Sequence, residues 1–308
     1  MKIIVAGASN QIGYFLLPRL SQAGHQVIAL SRQQHQDEYV DIEWVQLDLH
    51  AATPLVPETD AWVHAGPLHL LPSILRKLPE GRCPQRVIAF SSTSRLSKVD
   101  SQDSAETLIA QQLASAEAEL RAICDERDIA WTVFRPTLIY GCGRDANVTF
   151  IANFIKRFGF FPLVGKGQGL RQPVHADDLA IACTQALDRV KTYGQTYALS
   201  GGQTLSYRAM VRMIFQALGH RSRTLPVPLF LFNVALQIVR LLPRYRQLSP
   251  AMLTRMNQDL CFPHETATLD FDYQPRTFQP VFEASGIDFG VDILEPIDEQ
   301  HRRDHAKD

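Results

Sequence analysis

MKIIVAGASNQIG, residues 1–13, is the stretch from which the rest of the chain can be read. Ile3-Ile4-Val5-Ala6 is an apolar run without polar alternation, the pattern of a strand covered on both faces of a parallel sheet. Gly7 ends the run, and Gly13 falls inside the start of an amphipathic helical pattern. Such a strand–turn–helix suits an anion, because the first N–H groups of a helix lack partners and carry the positive end of its dipole. Gly7, Ser9, Asn10, Gln11, Ile12 and Gly13 are therefore the expected cradle of a diphosphate. Gly7 gives the tight turn, and Gly13 lets helix and sheet approach closely. The spacing is Gly7-x-x-Asn10-x-x-Gly13; Asn10 is read as keeping the turn because asparagine tolerates positive φ.

Outward from this turn, strands and helices alternate. A helix is expected from Gln11 to Ala23, closed by Gly24 and interrupted at Pro18, which removes a bond to the Tyr14 carbonyl. Val27–Leu30, Val45–Leu47, Ala61–His64, Arg86–Phe90 and Ala130–Phe134 read as further strands. Their downstream ends are small or polar: Ser31-Arg32, Asp48-Leu49, Ala65-Gly66-Pro67, Ser91-Ser92-Thr93 and Arg135-Pro136. Ligands of parallel sheets sit at that edge. Acidic residues at the second strand's end suit a free ribose 2′-hydroxyl, whereas Arg32 suits a 2′-phosphate, so NADP is expected, with NAD as the alternative. Ser104–Glu126 reads as a long helix with Leu108, Leu113, Leu120 and Ile123 or Cys124 along one stripe. Helices are also expected over Asn147–Phe158, from Asp178 to Val190, and after Ser206 as N-cap. The fold class is α/β, a doubly wound parallel sheet with a smaller, mostly helical C-terminal substrate lobe. Residues 1–165 form the dinucleotide-binding domain, 172–200 return to it, and 201–308 form the substrate-side lobe.

Composition narrows the class. The chain has 308 residues, 45% hydrophobic and 20% charged, with 31 Lys+Arg against 32 Asp+Glu for a net charge of −1. That balance gives no reason to expect a nucleic acid or an anionic membrane surface. Five dispersed cysteines without a C-x-x-C pair read as reduced thiols, and a first strand at residue 3 leaves no room for a signal peptide, so a cytoplasmic location is expected. Leu229–Leu242 is apolar, but fourteen helical residues reach only about 21 Å against a ~30 Å hydrocarbon core. A core or interface helix is expected there, not a membrane span. No metal site is expected: there is no H-E-x-x-H, and His301 and His305 sit in a polar tail.

Taken together, these residues resemble the extended or atypical short-chain dehydrogenase/reductases of the NAD-dependent epimerase/dehydratase type, over nearly the whole chain. The likeness is carried by Gly7–Gly13, Asp48-Leu49, His64-Ala65-Gly66-Pro67, Phe90-Ser91-Ser92-Thr93, Arg135-Pro136 through Tyr140-Gly141, Gly169-Leu170-Arg171 through Ala180, and Asp272–Phe278. It implies a Rossmann domain. Asp48 and Leu49 would meet the adenine, Ala65, Gly66 and Pro67 would flank ribose and phosphates, and Ser91 and Pro136 would line the nicotinamide. Thr93 would orient the reacting hydroxyl or carbonyl. Arg171, with Asn147, would hold the phosphates of a nucleotide-sugar or similar small-molecule substrate. Homodimerisation through the 104–126 helix is also implied.

The chain departs from the family where the chemistry is done. Catalytic members carry Tyr-x-x-x-Lys on the helix after the serine cluster, the lysine tuning the tyrosine for proton transfer. Here the helix reads ETLIAQQLASAEAEL, and counting from the Glu117-to-Arg135 spacing puts Ile109 and Leu113 at the two positions. Lys98 or Tyr140 are the candidate substitutes. The expected function is an NADP-dependent oxidoreductase or epimerase/reductase with a non-standard acid/base; the alternative is a non-catalytic NADP-binding sensor or assembly protein.

Overall fold

In a computed structural model, residues 1–33, 42–51, 56–79, 81–143, 145–228 and 255–282 are described. Seven parallel strands form the central sheet: β1 (Lys2–Ala6), β2 (Gln26–Ser31), β3 (Ile42–Gln46), β4 (Ala61–His64), β5 (Arg86–Phe90), β6 (Ala130–Pro136) and β7 (Gln195–Leu199). Their spatial order is β7-β6-β5-β4-β1-β2-β3. The chain thus winds outward from β1 through β2 to β3, returns to the other side of β1 as β4, and winds outward again. The direction reverses between β1 and β4, and ligands of open parallel sheets sit beyond the carboxyl ends of the strands at such a point.

Alternation within each strand feeds two separate cores, which is why the strand sequences are apolar throughout. Ile3, Val5, Val27, Ala29 and Val63 face α1 (Gln11–Gln22) and α6 (Ala176–Ala186), meeting Leu16, Leu20, Leu179 and Cys183. Ile4, Ala6, Ile28, Trp62 and Val87 face α2 (Leu70–Lys77) and α4 (Ser104–Glu126), meeting Leu71, Leu75, Leu120 and Cys124. Between β5 and α4 lies a single turn, α3 (Ser94–Ser97). Helix α1 runs through Pro18 without a break.

The stripe expected on α4 is corrected at its first half. Ala110, Ala116, Glu117, Leu120, Ile123 and Cys124 are buried, whereas Leu108 is 52% exposed and Leu113 only half-buried. Ala116, Leu120, Ile123 and Cys124 join the core on the sheet, whereas the first half of the helix buries only Glu106 and the small Ala110.

At the amino edge of β5 an arginine unremarked in the sequence is buried. Arg86 donates to Thr132 Oγ1 at 2.7 Å, Thr192 Oγ1 at 2.9 Å and the Leu187 and Ala186 carbonyls at 3.1 Å. Burial pushes its pKa down to about 10, which leaves it charged at neutral pH. Its position opposite the ligand edge makes it a tie between β5, β6 and the end of α6.

Two compact units divide the chain. The first comprises Met1–Asn147, Leu170–Leu205 and Leu260–Gln279; the second comprises Val148–Gly169, Ser206–Asp259 and Pro280–Asp308. Described parts of the second include α5 (Val148–Phe158), α7 (Tyr207–Ala217), a parallel pair of strands, Phe161–Val164 with Thr224–Val227, and a 3-10 turn at Arg255–Asn257. Ser206 caps α7 by accepting from the Ala209 N–H, as its sequence position indicated. The apolar stretch 229–242 and the histidines of the tail lie outside the described residues. Among the described residues no helix is long and apolar enough to cross a membrane, and no cluster of metal-ligating side chains occurs.

Candidate functional site at the carboxyl edge of the sheet

At the end of β1 the chain turns at Gly7 with φ +77°, a conformation that favours glycine. A Cβ there would lie 2.7 Å from the Gly66 nitrogen, so Gly7 also lets the β1 and β4 ends meet. Gly13 serves a nearer neighbour than expected. Its Cβ would fall 2.1 Å from the Ala8 carbonyl oxygen, so it closes the first helical turn onto the loop rather than onto the sheet.

Asn10 differs most from expectation. Its φ is −83° and ψ 178°, ordinary extended backbone, so tolerance of positive φ is not its contribution. It is the N-cap of α1. Its Oδ1 accepts from the N–H groups of Ile12 at 2.8 Å and Gly13 at 2.9 Å, and its Nδ2 donates to the Ala65 carbonyl at 2.7 Å. Two of the three first-turn donors are thereby engaged, and by helix geometry only Gln11 keeps an N–H without an intrahelical acceptor.

The neighbouring strand ends supply the rest of the edge. Arg32 is exposed immediately after β2, its carbonyl accepting from Gln46 Nε2 at 3.0 Å. Asp48 is exposed and accepts from the His50 N–H at 2.9 Å, while Leu49 packs on the α2/α4 core. At the end of β4, His64 is wholly buried and its Nε2 donates to the Pro67 carbonyl at 3.0 Å, shaping the Ala65-Gly66-Pro67 turn. Burial pushes its pKa down to about 4, so the ring is neutral at neutral pH.

Beyond β5 the backbone keeps pairing with β6: Ser91 N donates to Phe134 O at 2.7 Å and Thr93 N to Pro136 O at 3.1 Å. Thr93 Oγ1 donates to the same Pro136 carbonyl at 3.1 Å and is buried. Ser91 Oγ donates at 2.5 Å to Glu117 Oε1, which also accepts Arg135 Nε at 2.9 Å; Arg135 Nη2 meets Oε2 at 2.5 Å. Arg95 Nε stands 3.0 Å from Oε2 as an ion-pair partner without hydrogen-bond alignment. This buried carboxylate pins the serine segment and the end of β6 to α4.

Ile109 and Leu113, with Pro67, Leu68, His69, Gln112 and Ala116, line a cavity of about 160 Å3. Both thus lie beside the β4 turn and present hydrocarbon to it. The candidate substitutes are engaged elsewhere. Lys98 lies 4.0 Å from Glu106, which also accepts from Ser101 Oγ at 2.8 Å. Tyr140 is 2% exposed, accepts from the Gln279 N–H at 3.2 Å and packs edge-on against His175 and Phe278; burial raises its pKa. His175 caps α6 through Nδ1, which accepts from Asp177 N at 3.1 Å.

Arg171 is buried, its Nη1 donating to the Leu170 carbonyl at 2.7 Å, and Asn147 is exposed in the turn before α5, its N–H bonded to Asp145 Oδ1 at 3.0 Å. The two late sequence signatures meet at one latch. Arg276 binds Asp178 Oδ1 at 2.6 Å and Asp177 Oδ2 at 2.7 Å, while Arg19 of α1 binds Asp177 Oδ1 at 2.6 Å. Burial opposes ionisation of Asp177, yet the Arg19 and Arg276 hydrogen bonds hold its pKa below the ordinary carboxylate value.

Comparison with known proteins agrees with this architecture. Residues 65–199 match the model of the NAD dependent epimerase/dehydratase family. A 2-alkyl-3-oxoalkanoate reductase of Stenotrophomonas maltophilia is 26% identical over 90% of this chain and 95% of its own. Among solved structures, the UDP-glucose 4-epimerase of Thermotoga maritima, with UDP-glucose, shares the fold at TM-score 0.65 and 14% identity, covering 89% of this chain and 94% of that one. The UDP-glucuronic acid 4-epimerase of Bacillus cereus, in complex with UDP-glucuronic acid and NAD, does so at TM-score 0.64 and 13% identity with the same coverage.

Proposed function

From a chain whose residues 65–199 match the NAD dependent epimerase/dehydratase family, we propose an oxidoreductase or epimerase/reductase that holds NADP at the β1/β4 crevice. Its substrate carries a hydroxyl or carbonyl, as nucleotide-sugars do. The observation that carries this reading is the edge itself: the Gly7 turn pressed on Ala65-Gly66, with Arg32 exposed at the next strand end. A bound nicotinamide would supply or accept hydride. The chain supplies a polar strand end at Ser91–Thr93, the exposed Arg32 for the 2′-phosphate, and apolar side chains at Ile109 and Leu113. Asn147 and Arg171 remain the proposed substrate-phosphate contacts, and a cytoplasmic setting agrees with five free thiols. Exposed Leu108 and Ile109 on α4 support association of two copies.

A second reading, a non-catalytic NADP-binding protein, is favoured by one specific observation: no proton-transfer pair occupies α4. The test is one experiment with two stages. Purified protein is titrated with NADPH and NADH, then the loaded protein is mixed with keto-sugar nucleotides and simple ketones while nicotinamide absorbance is followed. Binding with turnover supports the first reading, binding without turnover the second, and no binding refutes both.

A further inference from the structure

The Asn10 side chain engages the first N–H groups of α1, the groups that would meet a diphosphate under the proposed function. Its Oδ1 bridges two successive helix N–H groups, as an anionic oxygen does at a helix N-terminus, and its Nδ2 straps the turn to the β4 carbonyl of Ala65. We propose that Asn10 is an affinity-determining residue, an internal competitor that a dinucleotide's diphosphate must displace to reach Ile12 and Gly13. This rests on the proposed function and adds to it: cofactor is held loosely and exchanged readily, because part of each hydrogen bond gained replaces one the loop already makes.

Two geometric points carry the argument. The amides are engaged by a neutral oxygen, which offers them less than a phosphate does. And the bond to Ala65 gives the cap a second anchor across the crevice, so displacement costs more than an ordinary N-cap rearrangement.

Substitution separates the competitor from the cap. Glycine caps nearly as well as asparagine, and aspartate caps equally well, so both variants keep the helix. Binding of NADPH and of ADP-ribose is measured by calorimetry on the full chain, with amide resonances of Ile12 and Gly13 followed by NMR and the melting temperature as the folding control. Asn10→Gly should tighten both ligands at least about fivefold, since two donors are released to a charged acceptor. Asn10→Asp should weaken them at least about tenfold by placing a carboxylate beside the phosphates. In the glycine variant the Ile12 and Gly13 resonances should move on ligand addition. If wild type binds with those resonances shifted and the glycine variant binds equally or more weakly, Asn10 is not a competitor and the inference alone falls. If every variant is silent towards both ligands, the cofactor reading falls with it.

Discussion

Replacing Glu117 by glutamine tests the tie that holds the serine segment and the end of β6 to α4. The carboxylate is 3% exposed and meets Ser91 Oγ, Nε and Nη2 of Arg135 and the Arg95 guanidinium. Removing one partner of a buried ion pair typically costs about 3–5 kcal/mol, because the other charge stays behind. Here the loss is moderated. Arg135 and Arg95 side chains keep 16% and 30% exposure and can draw on water, and glutamine retains one acceptor oxygen. The lower bound, about 3 kcal/mol, is therefore expected. At roughly 2–4 °C per kcal/mol for a domain of this size, the melting temperature of Glu117→Gln should fall by about 6–12 °C. Calorimetry with urea unfolding at constant slope checks this, and a cycle with Arg135→Met should recover most of the loss. A variant melting within 1 °C of wild type, by an order-of-magnitude criterion of about 0.5 kcal/mol, would refute the reasoning. Glu117 would then not be what pins the serine segment to α4.

Arg32→Ala should weaken NADPH by about three- to tenfold and leave NADH nearly unchanged, the modest size reflecting an exposed charge pair; equal losses for the two cofactors in parallel titrations would contradict the assignment. His64 titrates at about 4 in the folded chain against 6.5 when exposed. The unfolded chain therefore binds more protons between those values, so this contribution is complete above pH 6.5 and is lost as pH falls towards 4, about 3 kcal/mol in all. Urea midpoints from pH 4 to 7 should show a shallower slope in His64→Gln than in wild type, and identical slopes would remove histidine from the account. Tyr140→Phe gives up only the bond from the Gln279 N–H and should cost about 0.5–1.5 kcal/mol of stability. Any turnover found for wild type should survive it in steady-state assays; abolished turnover would restore Tyr140 as the proton donor.

Local pattern was enough for the scaffold. Ile3–Ala6, Val27–Leu30 and Arg86–Phe90 announce buried parallel strands because sheets covered on both faces need apolar residues at every position, and periods of that kind are written in consecutive letters. Ser104–Glu126 is the helix it reads as, end to end. The missing tyrosine and lysine were equally plain, since an absence at a fixed offset from Glu117 needs no coordinates. Asn10 was misread because a side chain's hydrogen bonds depend on where Ile12, Gly13 and Ala65 come to rest, and Ala65 is 55 residues away. The same distance hid the Arg19–Asp177–Arg276 latch, the neutral shell around Arg86 and the choice of Ala110 over Leu108 as the face of α4. The sequence by itself determined the buried strands of the central sheet, the extent of α4, and the absence of any tyrosine or lysine from that helix. Only the tertiary structure decided which donors were already taken, because that depends on long-range neighbours that no local period encodes.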